Sequence, residues 1–191
     1  MNCREKILST EALTAWREQL QASGKKLVVT NGCFDLLHAG HVTYLEAARN
    51  LGDALLVGLN GDASVRQLKG EGRPINSEAD RALVLAALAS VDAVCVFQEL
   101  DALHFLALVK PDIYAKGGDY TIDTINQPER RLVESLGGRV VVLAGVPNIS
   151  TSTLLQKIQK RIFKPDERSN PAVKPVENLE PRYFLMVAKK I

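Results

Sequence analysis

The chain has 191 residues, 46% of them apolar and 24% charged, with a formal net charge of +2. That length suits one compact domain with short appendages, and the near-neutral balance removes the strong whole-protein field on which nucleic-acid binders depend. Cys3, Cys33 and Cys95 lack paired spacing, Met1 to Lys6 carries no leader-type apolar core, and no apolar run nears the ~20 residues that span a bilayer. A cytoplasmic protein with no membrane span is expected.

In chain order, a helix is expected over 10–22, with Leu13, Trp16 and Leu20 as its stripe and Gly24 as its stop. Leu27-Val28-Val29-Thr30 follows as a buried strand, then a polar loop over 31–40 and a helix over 41–51. A second strand is expected over 54–59, followed by a polar stretch over 66–76 that places Lys69 in a glycine-containing loop. Ser77 caps a helix to residue 89. Strand 93–97, helix 101–109, strand 112–115, helix 128–136, strand 139–143 and helix 151–162 complete the alternation. The pattern predicts an α/β fold, a doubly wound parallel sheet of about five strands. The domain reading is an N-terminal helix at 1–24, a main domain at 25–163 and a Pro-rich tail at 164–191, solvated or docking on a partner.

The segment Thr30-Asn31-Gly32-Cys33-Phe34-Asp35-Leu36-Leu37-His38-Ala39-Gly40-His41 carries the chemistry. It lies where a buried strand gives way to a helix, the usual ligand crevice of an open α/β sheet. A helix start there presents free N–H groups and a positive dipole end, so an anion is favoured. Gly32 permits close backbone approach and Gly40 keeps the first turn free of bulk. His38 and His41, three apart, point to one side and can together stabilise charge that grows on a phosphate during in-line displacement. Two surface histidines are the plain alternative. A zinc site is a poorer one, since neither the H-E-x-x-H pattern nor a cysteine pair is present.

A histidine-x-Gly-histidine following a Gly-x-Phe-Asp loop resembles the cytidylyltransferase-like nucleotidyltransferase superfamily. Further blocks are Leu68-Lys69-Gly70, Arg73-Pro74-Ile75-Asn76, Arg81, Pro111-Asp112, Lys116-Gly117-Gly118-Asp119-Tyr120 and Ser150-Thr151-Ser152. With these, the chain is most similar to bacterial D-glycero-β-D-manno-heptose 1-phosphate adenylyltransferases, over about residues 27–158. The resemblance implies a Rossmann-like fold of the HxGH type. It also implies AMP transfer from ATP to the sugar phosphate, giving ADP-heptose for lipopolysaccharide core and pyrophosphate. Members stand alone beside a separate sugar kinase or are fused to one, and a homodimer is expected for the fold.

The site residues follow from the resemblance. His38, His41 and Lys69 are the catalytic set, with Lys69 reaching over the triphosphate. Asn31, Gly32, Cys33, Phe34, Asp35, Gly40, Lys116, Gly117, Asp119, Ser150, Thr151 and Ser152 are expected to hold the nucleotide. Asp62, Arg73 and Arg81 are the substrate-binding set, though either arginine could instead pair with Glu78 or Asp80. Gly117 and Asp119 could equally belong to a plain turn, and Ser150 to Ser152 can cap a helix as well as bind phosphate. Mg²⁺ is expected on triphosphate oxygens and water rather than on a protein ligand set, since Mg²⁺ keeps much of its hydration. Gly145 stands where glycerol-phosphate cytidylyltransferases carry arginine, which counts against that alternative. Leu155 and Gln156 replace a common basic residue, for which Lys157 is the nearest substitute. A non-catalytic nucleotide sensor is the rival of another class.

Overall fold

In the computed structural model, which describes residues 2–118, 120–145 and 150–162, strands and helices alternate along the chain. After a 3₁₀ turn at Cys3–Lys6 come α1 (Thr10–Ala22), β1 (Leu27–Gly32), α2 (Ala39–Arg49), β2 (Ala54–Asn60), α3 (Asp62–Lys69) and α4 (Glu78–Ala86). Then follow β3 (Ala93–Phe97), α5 (Leu103–Val109), β4 (Ile113–Gly118), α6 (Gln127–Ser135), β5 (Arg139–Ala144) and α7 (Thr151–Ile162). The strands form one parallel sheet in the order β3-β2-β1-β4-β5. The chain leaves β1 in one direction and returns on its other side at β4. This is the expected doubly wound sheet, and its topological switch lies between β1 and β4.

Apolar continuity sets the strand order. All seven residues of β2 are buried, so this strand takes an inner place, where a side chain such as Leu56 contributes about 2 kcal/mol. Alternate residues feed the two faces of the sheet. Val29, Leu56 and Tyr114 pack with Leu13 of α1 and Phe105 and Leu106 of α5, whereas Val28, Leu55 and Val57 pack with Leu45 of α2 and Leu85 of α4. Helices thus cover both faces, as a parallel sheet requires.

Acidic residues at the amino ends of the strands take up neighbouring backbone donors. Asp112 accepts from the Leu27 amide at 2.7 Å, and Asp92 accepts from the Leu55 amide at 2.7 Å. The β3 edge is partly covered by the chain start, where the Leu8 amide donates to the Val94 carbonyl at 2.8 Å. Residues 1–154 make one compact unit. In the remainder, α7 continues to Ile162; the tail expected at 164–191 lies outside the described residues.

Two local expectations are corrected. Asp62–Lys69 is a helix, not part of a loop, and it places Lys69 at a helix end rather than in a glycine turn. The β4 strand runs to Gly118, three residues beyond its expected end, so Lys116 and Gly117 are strand residues at the carboxyl edge of the sheet.

Candidate active site

His38 is the N-cap of α2: its backbone is extended, and its Nδ1 accepts weakly from the His41 amide at 3.4 Å. One turn on, the His41 ring stacks on the His38 ring with centroids 3.8 Å apart and planes 21° apart. Phe34, held at φ 43°, closes the other side with its centroid 5.2 Å from that of His41. This packing partly shields the imidazoles from water. Burial, with a smaller contribution from neighbouring His38, lowers the His41 pKa to about 4; burial also lowers that of His38. Both rings are therefore neutral at pH 7. With Nδ1 of His38 accepting, its proton sits on Nε2 and is available to a ligand.

This arrangement predicts an acid-sensitive fold. In the unfolded chain His41 titrates near its ordinary value of 6.5, above its folded value. The stability contributed by keeping it neutral is complete above pH 6.5 and is lost as the pH falls toward 4. Thermal melts from pH 7.5 to 4.5 should show a falling midpoint, and His41→Asn should flatten that fall. An unchanged slope in the variant would remove His41 as its source.

The loop before α2 is fastened from below. Asp35, 6% exposed, accepts from Arg73 Nη1 and from the Ile75 and Asn76 amides at 2.7 and 3.2 Å. Its carboxylate is committed to the 73–76 loop although it lines the cavity. Arg81 is 2% exposed and donates to the carbonyls of Asn76, Cys33 and Asn60 and to Asp62 Oδ1. The expected substrate contacts of Arg81 and Asp62 are therefore corrected. Arg81 spends its donors inside the protein, Asp62 is its counter-ion, and neither lines the cavity. Nor does Arg81 pair with Glu78 or Asp80: Glu78 caps the Asp62 amide and Asp80 bonds Ser77. Arg73 does line the cavity, paired with Asp35.

Above this floor lies a cavity of about 860 Å³. It brings together Asn31, Gly32, Cys33, Phe34, Asp35, His38, Gly40, His41, Lys69, Arg73, Lys116, Gly117, Ser150, Thr151 and Ser152. Burial raises the Cys33 pKa, which keeps that thiol protonated. Ser150 Oγ accepts from the Thr153 amide at 3.1 Å and so acts as a cap of α7, while Thr151 Oγ1 donates to the Leu36 carbonyl at 3.4 Å. Asp119 lies outside the described residues. Sequence reasoning missed Asn60, Tyr44 and Leu100, and it named Leu68 and Tyr120 in the family blocks without a site role; all five also line the cavity. Tyr44 was accessible to it, because it follows His41 by three positions on the same helix.

Comparison with known proteins shows the family. The family described as cytidylyltransferase-like matches residues 29–184. The chain belongs to the cytidylyltransferase-like family. Among curated relatives it is 51% identical over 156 residues to the "Bifunctional protein HldE" of Pelobacter propionicus, covering 82% of this chain and 32% of that protein. It is 50% identical over 155 residues to the protein of the same name from Pseudomonas aeruginosa, covering 81% and 32%. The chain thus spans about a third of the length of these relatives. A solved structure, the lipopolysaccharide core biosynthesis protein from Thermoplasma volcanium GSS1, matches with a TM-score of 0.54 and 31% identity. It covers 64% of this chain and 98% of its own.

In this cytidylyltransferase-like protein the switch point is held by side chains. The β1–β4 ladder pairs Val28 with Ile113 and Val29 with Tyr114 and ends there. Beyond it, Lys116 Nζ reaches across to Asn31 Oδ1 at 2.6 Å. Gly117 has a structural reason of its own. A Cβ there would fall within the Tyr44 ring, which is pinned by Thr30 at 2.7 Å and by its bond to the Ala115 carbonyl at 2.9 Å. Gly117→Ala is expected to cost about 1–3 kcal/mol, as overpacking does, measured by urea unfolding. A neutral result would mean that Tyr44 can move aside.

Proposed function

We propose that the chain is an adenylyltransferase that moves AMP from ATP to D-glycero-β-D-manno-heptose 1-phosphate, yielding ADP-heptose and pyrophosphate. The stacked, neutral His38–His41 pair at the start of α2, facing the cavity with Lys69, carries the reading. An anionic phosphate oxygen of the acceptor attacks the α-phosphorus. The bond from that phosphorus to the bridging oxygen breaks, and its electron pair leaves with pyrophosphate. No general base is needed, because the attacking oxygen is already ionised. The protein's task is to align two polyanions and stabilise the charge that develops. Neutral imidazoles donate N–H bonds to non-bridging oxygens, and the Lys69 ammonium meets charge moving onto the leaving group.

Mg²⁺ fits this scheme as a passenger of the triphosphate. Among the described residues no three His, Cys, Asp or Glu side chains converge as a metal site, and Asp35 is already bonded to Arg73 and two amides. The ion would supply charge neutralisation on the phosphates. Adenine and heptose rest on the family resemblance carried by Thr30 to His41 and the further sequence blocks, and the likeness to a lipopolysaccharide core biosynthesis protein supports that reading. A separate kinase acting on the sugar would supply the acceptor. No described helix is long and apolar enough to cross a membrane.

Pyrophosphate release with ATP or CTP against a panel of sugar and polyol phosphates tests the proposal. Turnover should be fastest with ATP and the heptose phosphate. Faster turnover with CTP and glycerol 3-phosphate would replace the substrates while keeping the reaction class; nucleotide binding without turnover would leave a sensor.

A further inference from the structure

Glu129 touches no cavity surface, yet it sits behind two residues that do. It lies in the first turn of α6, is 3% exposed, and its Oε1 accepts from the Ala102 amide at 3.0 Å. Its Oε2 accepts from the Tyr114 hydroxyl at 2.7 Å and stands 3.4 Å from Lys116 Nζ. The Tyr114 hydroxyl is also 2.6 Å from Asn31 Oδ1, the atom to which Lys116 donates. The Lys116 ammonium lies 4.8 Å from the Tyr114 ring centroid.

This arrangement fixes the direction of Asn31. Lys116 can only donate, so the Asn31 atom it meets is the carbonyl oxygen, and the amide N–H groups are turned away from the cluster. Asn31 itself lines the cavity. Lys116 is held in the same way: burial lowers its pKa and the nearby Glu129 carboxylate opposes that shift, keeping an ammonium at the cavity wall. Without the carboxylate, a mostly buried cation would lack its counter-charge.

We infer that Glu129, its carboxylate held by the Tyr114 hydroxyl, is a positioning residue which pairs with Lys116 and so aims the Lys116 ammonium, and through it the Asn31 amide, at the nucleotide. The inference rests on the proposed use of the cavity for a nucleoside triphosphate and concerns binding rather than the chemical step. Glu129→Gln keeps the shape and removes the charge.

The test is equilibrium binding of ATP to the full chain by calorimetry, with steady-state kinetics alongside. Glu129→Gln is expected to weaken ATP binding about tenfold and to raise KM for ATP alike, with kcat at saturating ATP changed less than about threefold. Lys116→Met should weaken binding at least as much, and the double variant should bind no worse than Lys116→Met alone, because the two act as one unit. Unchanged affinity in Glu129→Gln, or full additivity with Lys116→Met, would overturn the inference. If Glu129→Gln does not fold, Tyr114→Phe takes its place; a several-fold loss of ATP affinity supports the inference and wild-type affinity overturns it. A wild-type protein that shows this coupling yet transfers no AMP would defeat the adenylyltransferase proposal and leave the positioning role standing.

Discussion

His38→Ala and His41→Ala each reduce turnover by ~10²-fold or more while ATP binding changes little, the usual outcome of deleting a donor aimed at developing charge. The expectation comes from the stacked rings. Each is neutral, packed and restrained, so its donor costs no reorganisation when charge builds on the α-phosphoryl group. The two rings support each other's position at a centroid spacing of 3.8 Å, so the double variant should lose far less than the product of the single losses. Single-turnover pyrophosphate release, with ATP affinity measured separately, separates the effects. Equal losses of affinity and rate would turn the pair into ground-state ligands, and full activity would exclude them from the reaction.

Arg81→Met should be the most destabilising of the substitutions considered, by about 3–5 kcal/mol, because it strips a buried charge network of its cation. The guanidinium joins the carbonyls of Cys33, Asn60 and Asn76 to Asp62, so its removal leaves four acceptors without their donor. For a chain of this size the melting midpoint should drop by roughly 10 °C. Arg81→Lys should recover little, since one ammonium cannot reproduce a planar fork spread over four acceptors. Urea unfolding gives the free energy directly. A loss below about 1 kcal/mol, with acceptor affinity reduced instead, would return Arg81 to the substrate-binding set.

The fold was legible because its strands are short apolar runs between turn residues, and the histidine loop was legible because its residue order has few structural uses. Failures came where local sequence suggested a local partner. Arg81 has Glu78 and Asp80 nearby, but it shares the inner face of α4 with Ala82, Leu85 and Ala86, and burial sends it to backbone carbonyls instead. The Asp62–Lys69 helix escaped notice because only Ser64 and Val65 are buried and Gly61 gives it no side-chain cap. Glu129 was given no role; it follows Asn126 by three residues, a capping-box spacing that would take its carboxylate to the helix start. Asn126 does cap the Glu129 amide at 3.1 Å, yet the Glu129 carboxylate turns inward to Tyr114 and Ala102. Such pairings across distant elements have no period and no signature in one sequence.

The early end of the β1–β4 ladder at Val29 and Tyr114 gives such a protein room to diversify. Beyond that point the crevice floor is joined by exchangeable side chains at positions 31 and 116 instead of by invariant main chain. Substitutions there can reshape the groove or change its polarity while the strand order, and the cores on either face, stay as they are.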